Sequence, residues 1–313
     1  MKQFLVLALA FLYFVDIVIG CSCEGVSGIN SFFGNMNNSL LLPKKGWMIQ
    51  NQYDFKKYAV NKKSVTNNES PHNIQTHTLT KIQTSLFNIS YGLSNTITLN
   101  ISQSVYQGQM NRSNIFGIGD MLIGGSFKLP DINGMKGVFQ SGVKIPLGVS
   151  KSLYTLGNVN MNSKSYDPFI SLLFVKSIKK GTVGINSYYR LTTTDKNKLN
   201  TGNISVTTLS YEYNLKYKKS CSLDTVYNNT DNMFSTSFNV FSSISFENYK
   251  RQMNGNAFME NTGGYSFFST VGIRIHVKSW VIPVSVSLPV SERFYGNQSK
   301  TQIKFNLSLT KFL

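Results

Sequence analysis

TQIKFNLSLTKFL, Thr301 to Leu313, decides how the rest of the chain is read. Ile303, Phe305, Leu307 and Leu309 are apolar, and Gln302, Lys304, Asn306, Ser308 and Thr310 between them are polar. A period of two is the spacing of a strand with one dry face and one wet face. The same period recurs upstream. Trp47, Ile49, Tyr53 and Phe55 alternate with Met48, Gln50, Gln52 and Asp54, and Val183, Ile185, Tyr189 and Leu191 with Asn186, Tyr188 and Arg190. Tyr265, Phe267, Val271, Ile273 and Ile275 alternate with Ser266, Thr270, Arg274 and His276. Beyond the N-terminal segment, apolar residues do not recur at i, i+3, i+4 and i+7, so the chain reads as all-β.

The connections alternate too. Gly92–Asn95, Pro130–Gly134, Lys179–Gly181 and Lys278–Ser279 have turn chemistry. Between them fall longer polar stretches: Tyr58–Gln75, Gln107–Asn114, Val149–Ser165, Asp195–Thr201, Arg251–Thr262 and Ser291–Ser299. Short turn, long loop, repeated, is the rhythm of an antiparallel meander whose two ends differ. About six hairpins give about twelve strands, with ten to fourteen allowed by the ambiguous segment around residues 220–233. A soluble β-protein buries the apolar parity; a transmembrane up-and-down β-barrel turns it outward to lipid. A last strand as regular as Thr301–Leu313 suits a barrel, in which it closes against the strand near Trp47 and leaves no edge in lipid.

Composition favours the barrel. The 313 residues carry 31 Lys and Arg against 14 Asp and Glu, a formal charge of +17. Charged residues are only 14% of the chain, against about 25% in ordinary soluble domains. The basic residues are scattered, with no zinc-finger spacing or RNA-binding motif, which argues against nucleic acid. The N-terminus, MKQFLVLALAFLYFVDIVIGC, has one early lysine, an apolar run from Phe4 to Val15 and small Gly20. It reads as a signal peptide over residues 1–20, too short for a spanning helix. Val18-Ile19-Gly20-Cys21 fits two readings: a lipoprotein signal with Cys21 acylated, or ordinary cleavage that leaves Cys21 and Cys23 near the mature start. Residues 21–45 read as a periplasmic or plug-like lead-in, and residues 46–313 as the barrel. Three cysteines and three histidines supply neither a disulfide framework nor a metal site.

Five stretches carry a resemblance: GIGDMLIGGSFKL (Gly117–Leu129), SGVKIPLG (Ser141–Gly148), SYDPFISLLF (Ser165–Phe174), ENTGGYSFFSTVGI (Glu260–Ile273) and VSLPVSERFYGNQ (Val286–Gln298). In order and spacing they resemble the outer-membrane barrels named for the meta-pathway of phenol degradation, related in fold to long-chain hydrocarbon transporters. The resemblance rests on Gly119-Asp120, on Gly142, Lys144, Pro146 and Gly148, on Ser165-Tyr166-Asp167, on Thr262-Gly263-Gly264, and on Leu288-Pro289 with Gly296-Asn297-Gln298. It implies a bacterial outer-membrane location, contact with membrane lipid and lipopolysaccharide, delivery by the barrel-assembly machinery and passage of a small-molecule solute. The aromatic that this machinery reads is Phe312 here, not the last residue.

On the barrel reading, Lys128, Lys144, Arg190, Arg274 and Lys304, with the acids Asp120 and Glu247, line the pore, while Ile303, Phe305, Leu307 and Leu309 face lipid. A basic lining favours anions; the plainer alternative is internal ion pairing that ties strands together. Gly119-Asp120 and Tyr166-Asp167 are placed at strand starts beside long loops, where they shape the mouth, or where glycine allows a bulge and aspartate pairs with a nearby base. Pro283 and Pro289 interrupt a ladder and predict a bulge or kink, which in related transporters opens a lateral route. Trp47, Tyr53, Tyr265, Trp280 and Phe312 are candidates for the aromatic girdles. No nucleophile elbow, Walker loop or His-Glu-x-x-His is present, so neither enzyme chemistry nor a cofactor is expected. The competing classes are a structural or interaction barrel and a secreted soluble β-protein.

Overall fold

In the computed structural model the terminal stretch is the last of twelve long strands. The structure describes residues 41–59, 79–110, 113–147, 149–150, 164–196, 198–215, 237–296 and 298–313. Residues 1–20, read above as a signal peptide, lie outside them, as do Cys21, Cys23, Cys221, most of the expected lead-in and the segment around 220–233. In chain order the strands are β1 (Trp47–Ala59), β2 (Leu79–Ser94), β3 (Ile97–Met110), β4 (Ser113–Lys128), β5 (Met135–Ile145) and β6 (Asp167–Ile178). They continue as β7 (Gly181–Arg190), β8 (Ile204–Asn214), β9 (Ser237–Tyr249), β10 (Gly264–Val277), β11 (Trp280–Phe294) and β12 (Lys300–Phe312). Each pairs antiparallel with the next, and β12 pairs with β1 from Met48↔Phe312 to Ala59↔Lys300. The sheet therefore closes, as the sequence led us to expect, and the backbone bonds that a flat sheet would leave open at its edges are made.

Four of the tight connections, 95–96, 129–134, 179–180 and 278–279, lie at one end, with the β8–β9 connection. Both ends of the strand set lie there too, since Trp47 N–H donates to the Leu313 carbonyl at 3.1 Å and Leu313 N–H to that of Trp47 at 2.9 Å. This is the turn end. The connections after β5, β7 and β9 form the loop end. There Leu199–Asn200, Met253–Asn254 and Ala257–Phe258 build a small three-stranded sheet.

One predicted loop is a hairpin. Gln107–Asn114 reads as a long polar loop, yet β3 and β4 stay paired up to Met110↔Ser113 and only residues 111–112 join them. Polarity misleads here because these strands run on past the apolar zone of the wall, where an outward side chain no longer needs to be greasy. Gly119-Asp120 likewise lies inside β4 rather than at its start. The register slips there, with Gln103 opposite Met121 and Val105 opposite Ile118, so β4 carries an extra residue. The bulge expected from that glycine is real, with its place in the strand corrected.

The lead-in is partly visible. Leu41 and Leu42 are 3% and 2% exposed, and Leu42 N–H donates to Thr98 Oγ1 at 2.8 Å. Lys45 N–H then donates to the Gly92 carbonyl at 2.7 Å, and Gly92 N–H to that of Gly46 at 2.9 Å. The chain thus crosses the turn end against β2 and β3 before entering β1.

Candidate functional site: the barrel interior and the β11–β12 seam

Alternation puts one parity of each strand inside. On β1, Met48, Gln50, Gln52, Asp54 and Lys56 are buried, while Trp47 and Ile49 are exposed on the wall. The outer face is apolar around the barrel: Phe87, Ile101, Phe116, Ile170, Ile185, Leu209, Ile244 and Val271 are all exposed. An apolar wall around a polar interior reverses the plan of a soluble barrel, and only lipid solvates such a wall well. The chain is a bacterial outer-membrane β-barrel.

The interior charges come in pairs. Lys144 Nζ lies 3.1 Å from Asp120 Oδ2 and 2.7 Å from Asp167 Oδ2. Arg190 Nε is 4.0 Å from the same Asp167 oxygen, and Thr193 N–H donates to Asp167 Oδ1 at 2.9 Å. This group ties β4, β5, β6 and β7. Arg274 on β10 pairs with Glu212 on β8 across β9. Asn239 Nδ2 donates to Glu212 Oε1 at 2.5 Å, and the Arg274 guanidinium lies 5.2 Å from the Phe241 ring centre. Lys304 Nζ donates to Glu247 Oε1 at 2.8 Å, Tyr249 donates to Glu247 Oε2 at 2.8 Å, and Lys304 sits 3.3 Å over the Phe268 ring. Asp54 accepts from Asn306 at 2.6 Å and from Gln52 at 3.1 Å.

Among the described wall strands, the interior acids Asp54, Asp120, Asp167, Glu212 and Glu247 lie among the bases Lys56, Lys144, Arg190, Arg274 and Lys304, and half-buried Glu292 and Lys136 share the inward parity nearer the two rims. The structure brings Lys144, Asp120 and Arg190 into one group and Lys304 and Glu247 into another. Arg274 stands with a partner that the sequence reading passed over. Lys128 stands apart: it ends β4 at the turn-end rim, is exposed and lies 3.8 Å from Asp131. A basic lining is therefore not what the interior presents. Asp54 could have been found from its parity with Gln50 and Gln52. Glu212 could not, because β8 places serine and threonine on both faces.

Two uncharged surfaces complete the interior. A hydrogen-bonded band of amides and hydroxyls runs from β12 to β5. Gln50 donates to Ser308 at 3.0 Å, Ser90 to Asn100 at 2.7 Å, and Asn100 and Gln140 both donate to Ser126, at 2.9 and 2.8 Å. Opposite in character is an apolar cluster of Leu86, Leu122, Phe169, Leu173, Tyr188 and Val206. Phe169 and Tyr188 stack at 5.8 Å. Phe169 fits because residue 142 is glycine: a Cβ there would lie 2.6 Å from the Phe169 ring and 2.2 Å from the Ile123 carbonyl oxygen.

The wall has a seam. The β11–β12 ladder runs from Trp280↔Lys311 to Ser287↔Lys304, omits Ile282 and Pro283, and then stops. Beyond it, β11 continues to Phe294 on β10 and β12 continues to Lys300 on β1. Pro283 and Pro289 are six residues apart, an even number, so both turn their donorless nitrogens toward the same neighbour, β12. On the β10 side Val290 has no opposite number between Pro289↔Phe268 and Ser291↔Phe267; it bulges outward, 69% exposed, beside exposed Leu288. Glu292 spans part of the gap by accepting from Thr301 N–H at 2.8 Å.

Of the candidate wall residues, Leu307 is exposed on the outer face and Ile303, Phe305 and Leu309 are half-buried on it. Trp47 packs against Tyr91, ring centres 4.7 Å apart, near the turn end, where Trp280 also sits; Phe312 is not a girdle residue, because it shares the inward parity of Ser308 and Thr310 and lies opposite buried Met48. Tyr265 packs with Phe246 and Phe267 near the loop end, at 6.0 and 6.2 Å. Tyr53 stands mid-strand, opposite Leu307, away from either aromatic band. Leu307→Arg puts a cation on the middle of this wall; the expected loss is about 2–4 kcal/mol of stability in lipid, measured by urea unfolding in vesicles.

No family model matches the chain, and no curated protein matches it. Among solved structures it is similar to an outer membrane channel from Pseudomonas putida F1, with a TM-score of 0.61 and 11% identity, over 87% of this chain and 97% of that one. It is also similar to LpxR from Salmonella typhimurium (TM-score 0.46, 11% identity, 85% of this chain and 100% of that one). A third is the CymD monoaromatic hydrocarbon channel (TM-score 0.41, 9% identity, 95% of each chain). At these identities the first likeness speaks for the fold alone, and the other two carry no further weight.

Proposed function

We propose that this barrel is a channel for small apolar molecules, which leave its interior sideways into the bilayer through the β11–β12 seam. The observation that carries the reading is the lost ladder beyond Ser287↔Lys304. A wall without those bonds is the place where strands separate at least cost, and Leu288 and Val290 give the opening an apolar outer lip. The pairing of interior charge on the described strands supports apolar cargo over anions, because bases offset by neighbouring acids leave little net positive field to attract an anion. The likeness to the phenol-pathway barrels agrees with this substrate class. The residues proposed to line the route are Lys144, Arg190, Arg274, Lys304, Asp120 and Glu247; Ile303, Phe305, Leu307 and Leu309 face lipid.

The test is uptake of an apolar fluorescent probe into proteoliposomes, with single-channel conductance recorded in parallel. Wild-type protein should take up the probe. Pro283→Val with Pro289→Val restores the two missing donors and should lower uptake severalfold while conductance holds. Unchanged uptake in that variant would sink the lateral route. A barrel silent in both measurements would favour the second reading, a structural or interaction barrel, which the close burial of Lys144 and Arg274 supports (2% and 1% exposed).

A further inference from the structure

The geometry points to a docking surface for anionic glycerophospholipid headgroups: a lysine collar around the turn end of the barrel. Lys44, Lys45, Lys176, Lys179, Lys180 and Lys278 are all exposed there. They come from the lead-in and from two different hairpins, so the fold gathers into one ring what the sequence scatters. Among the described residues outside the interior, the turn end carries one acid, Asp131, which is already 3.8 Å from Lys128. At the loop end, exposed Lys164, Lys196, Lys198, Lys250 and Lys300 share the rim with one exposed acid among the described residues, Glu260.

The collar sits at the level where lipid headgroups lie. Trp47, Tyr91 and Trp280 mark the interface of the apolar wall at this end, as aromatic belts do. Lys311 ties the two layers together: its amine lies 4.9 Å from the Trp280 ring centre and donates to Ser279 Oγ. Its stem runs along the wall while its charge reaches the turn, the snorkelling arrangement of an interfacial lysine. Amines projecting from turns at this level meet phosphates within a screening length of about 8 Å at physiological salt. In outer-membrane barrels the short turns face the periplasm, so the lipid concerned is that of the inner leaflet. The inference rests on the chain being a membrane barrel and is independent of any solute it passes.

The molecule supplies its own probe, because Trp47 and Trp280, the two tryptophans of the chain, both lie beside the collar. Full-length protein is reconstituted into bilayers, and tryptophan fluorescence is quenched with brominated phosphatidylglycerol or brominated phosphatidylcholine. The expected preference for phosphatidylglycerol is about fivefold at low salt, the worth of one well-placed lysine per lipid. It should fall toward one at high salt, and in a variant with those six lysines changed to glutamine. A control variant changes five loop-end lysines, Lys164, Lys196, Lys198, Lys250 and Lys300, and should keep the preference. Heat-modifiable migration checks that each variant is folded. A native ratio near one would overturn the proposal, as would equal losses in the two variants. So would preferential capture of a soluble polyanion with no phosphatidylglycerol preference, because the collar would then serve a different partner.

Discussion

Glu212→Gln should destabilise the barrel by about 3–5 kcal/mol, the usual cost of removing one partner of a buried ion pair. Arg274 is 1% exposed and so is Glu212. The carboxylate holds the Arg274 guanidinium and also accepts from Asn239 at 2.5 Å. Glutamine keeps the volume and loses the charge, so the guanidinium is left buried beside a neutral amide. The Phe241 ring, 5.2 Å away, softens this by roughly 0.5–2 kcal/mol at most. Glu212→Met with Arg274→Met removes both charges and should recover most of the loss, since a buried pair and an apolar pair of similar size are often equivalent. Recovery should be complete only when Asn239 is also made apolar, because its amide otherwise loses its acceptor. Urea unfolding in lipid vesicles reads all three variants. A Glu212→Gln loss below about 1 kcal/mol would mean that water reaches the pair, and with it that the interior is open at this level.

That outcome bears on what the sequence could and could not reveal. The two faces were legible because a period of two survives wherever a strand crosses lipid, as from Ile303 to Leu309 on β12 and Val183 to Tyr189 on β7; which face turns outward came from the loop rhythm and the upstream motifs, not from alternation. The closure was legible for the same reason, since a last strand that regular needs partners on both sides. What failed was reading depth. Gln107 and Asn114 are polar because β3 and β4 rise beyond the apolar zone, and sequence polarity does not distinguish a strand in water from a loop in water. Lys128 shares the parity of interior Ser126, but two more residues along the strand carry it out to the rim. The balance of interior charge was hidden for a different reason. Glu212 meets Arg274 across an intervening strand and 62 positions of sequence, and no local pattern encodes that meeting. The proline seam was half legible: two prolines on one strand announce a damaged ladder, and only the register shows that both damage the same side.

Deleting Lys300–Leu313 should abolish folding altogether, the largest effect the structure implies. β12 is paired with β1 along its whole length and with β11 up to Ser287↔Lys304. Without it, β1 and β11 become two free edges in lipid, and each orphaned N–H or C=O there costs several kcal/mol. Eleven strands cannot simply close the gap. β1 and β11 would have to meet with the inward parity of both preserved, and Pro283 and Pro289 would then turn their donorless side toward β1. The expected result on refolding from urea into detergent is loss of the heat-modifiable band. A circular permutant separates closure from mere chain length. Trp47 and Leu313 already exchange backbone bonds at 3.1 and 2.9 Å, so a short linker from Leu313 to Leu41 spans the turn end, and the chain is reopened between Lys179 and Lys180. That permutant keeps every strand pair, loses only the covalent β6–β7 connection, and should still give the heat-modifiable band. A deleted chain that folded as well as the permutant would show that β12 closes nothing, and that the strict alternation of Thr301–Leu313 serves some purpose other than sealing the wall.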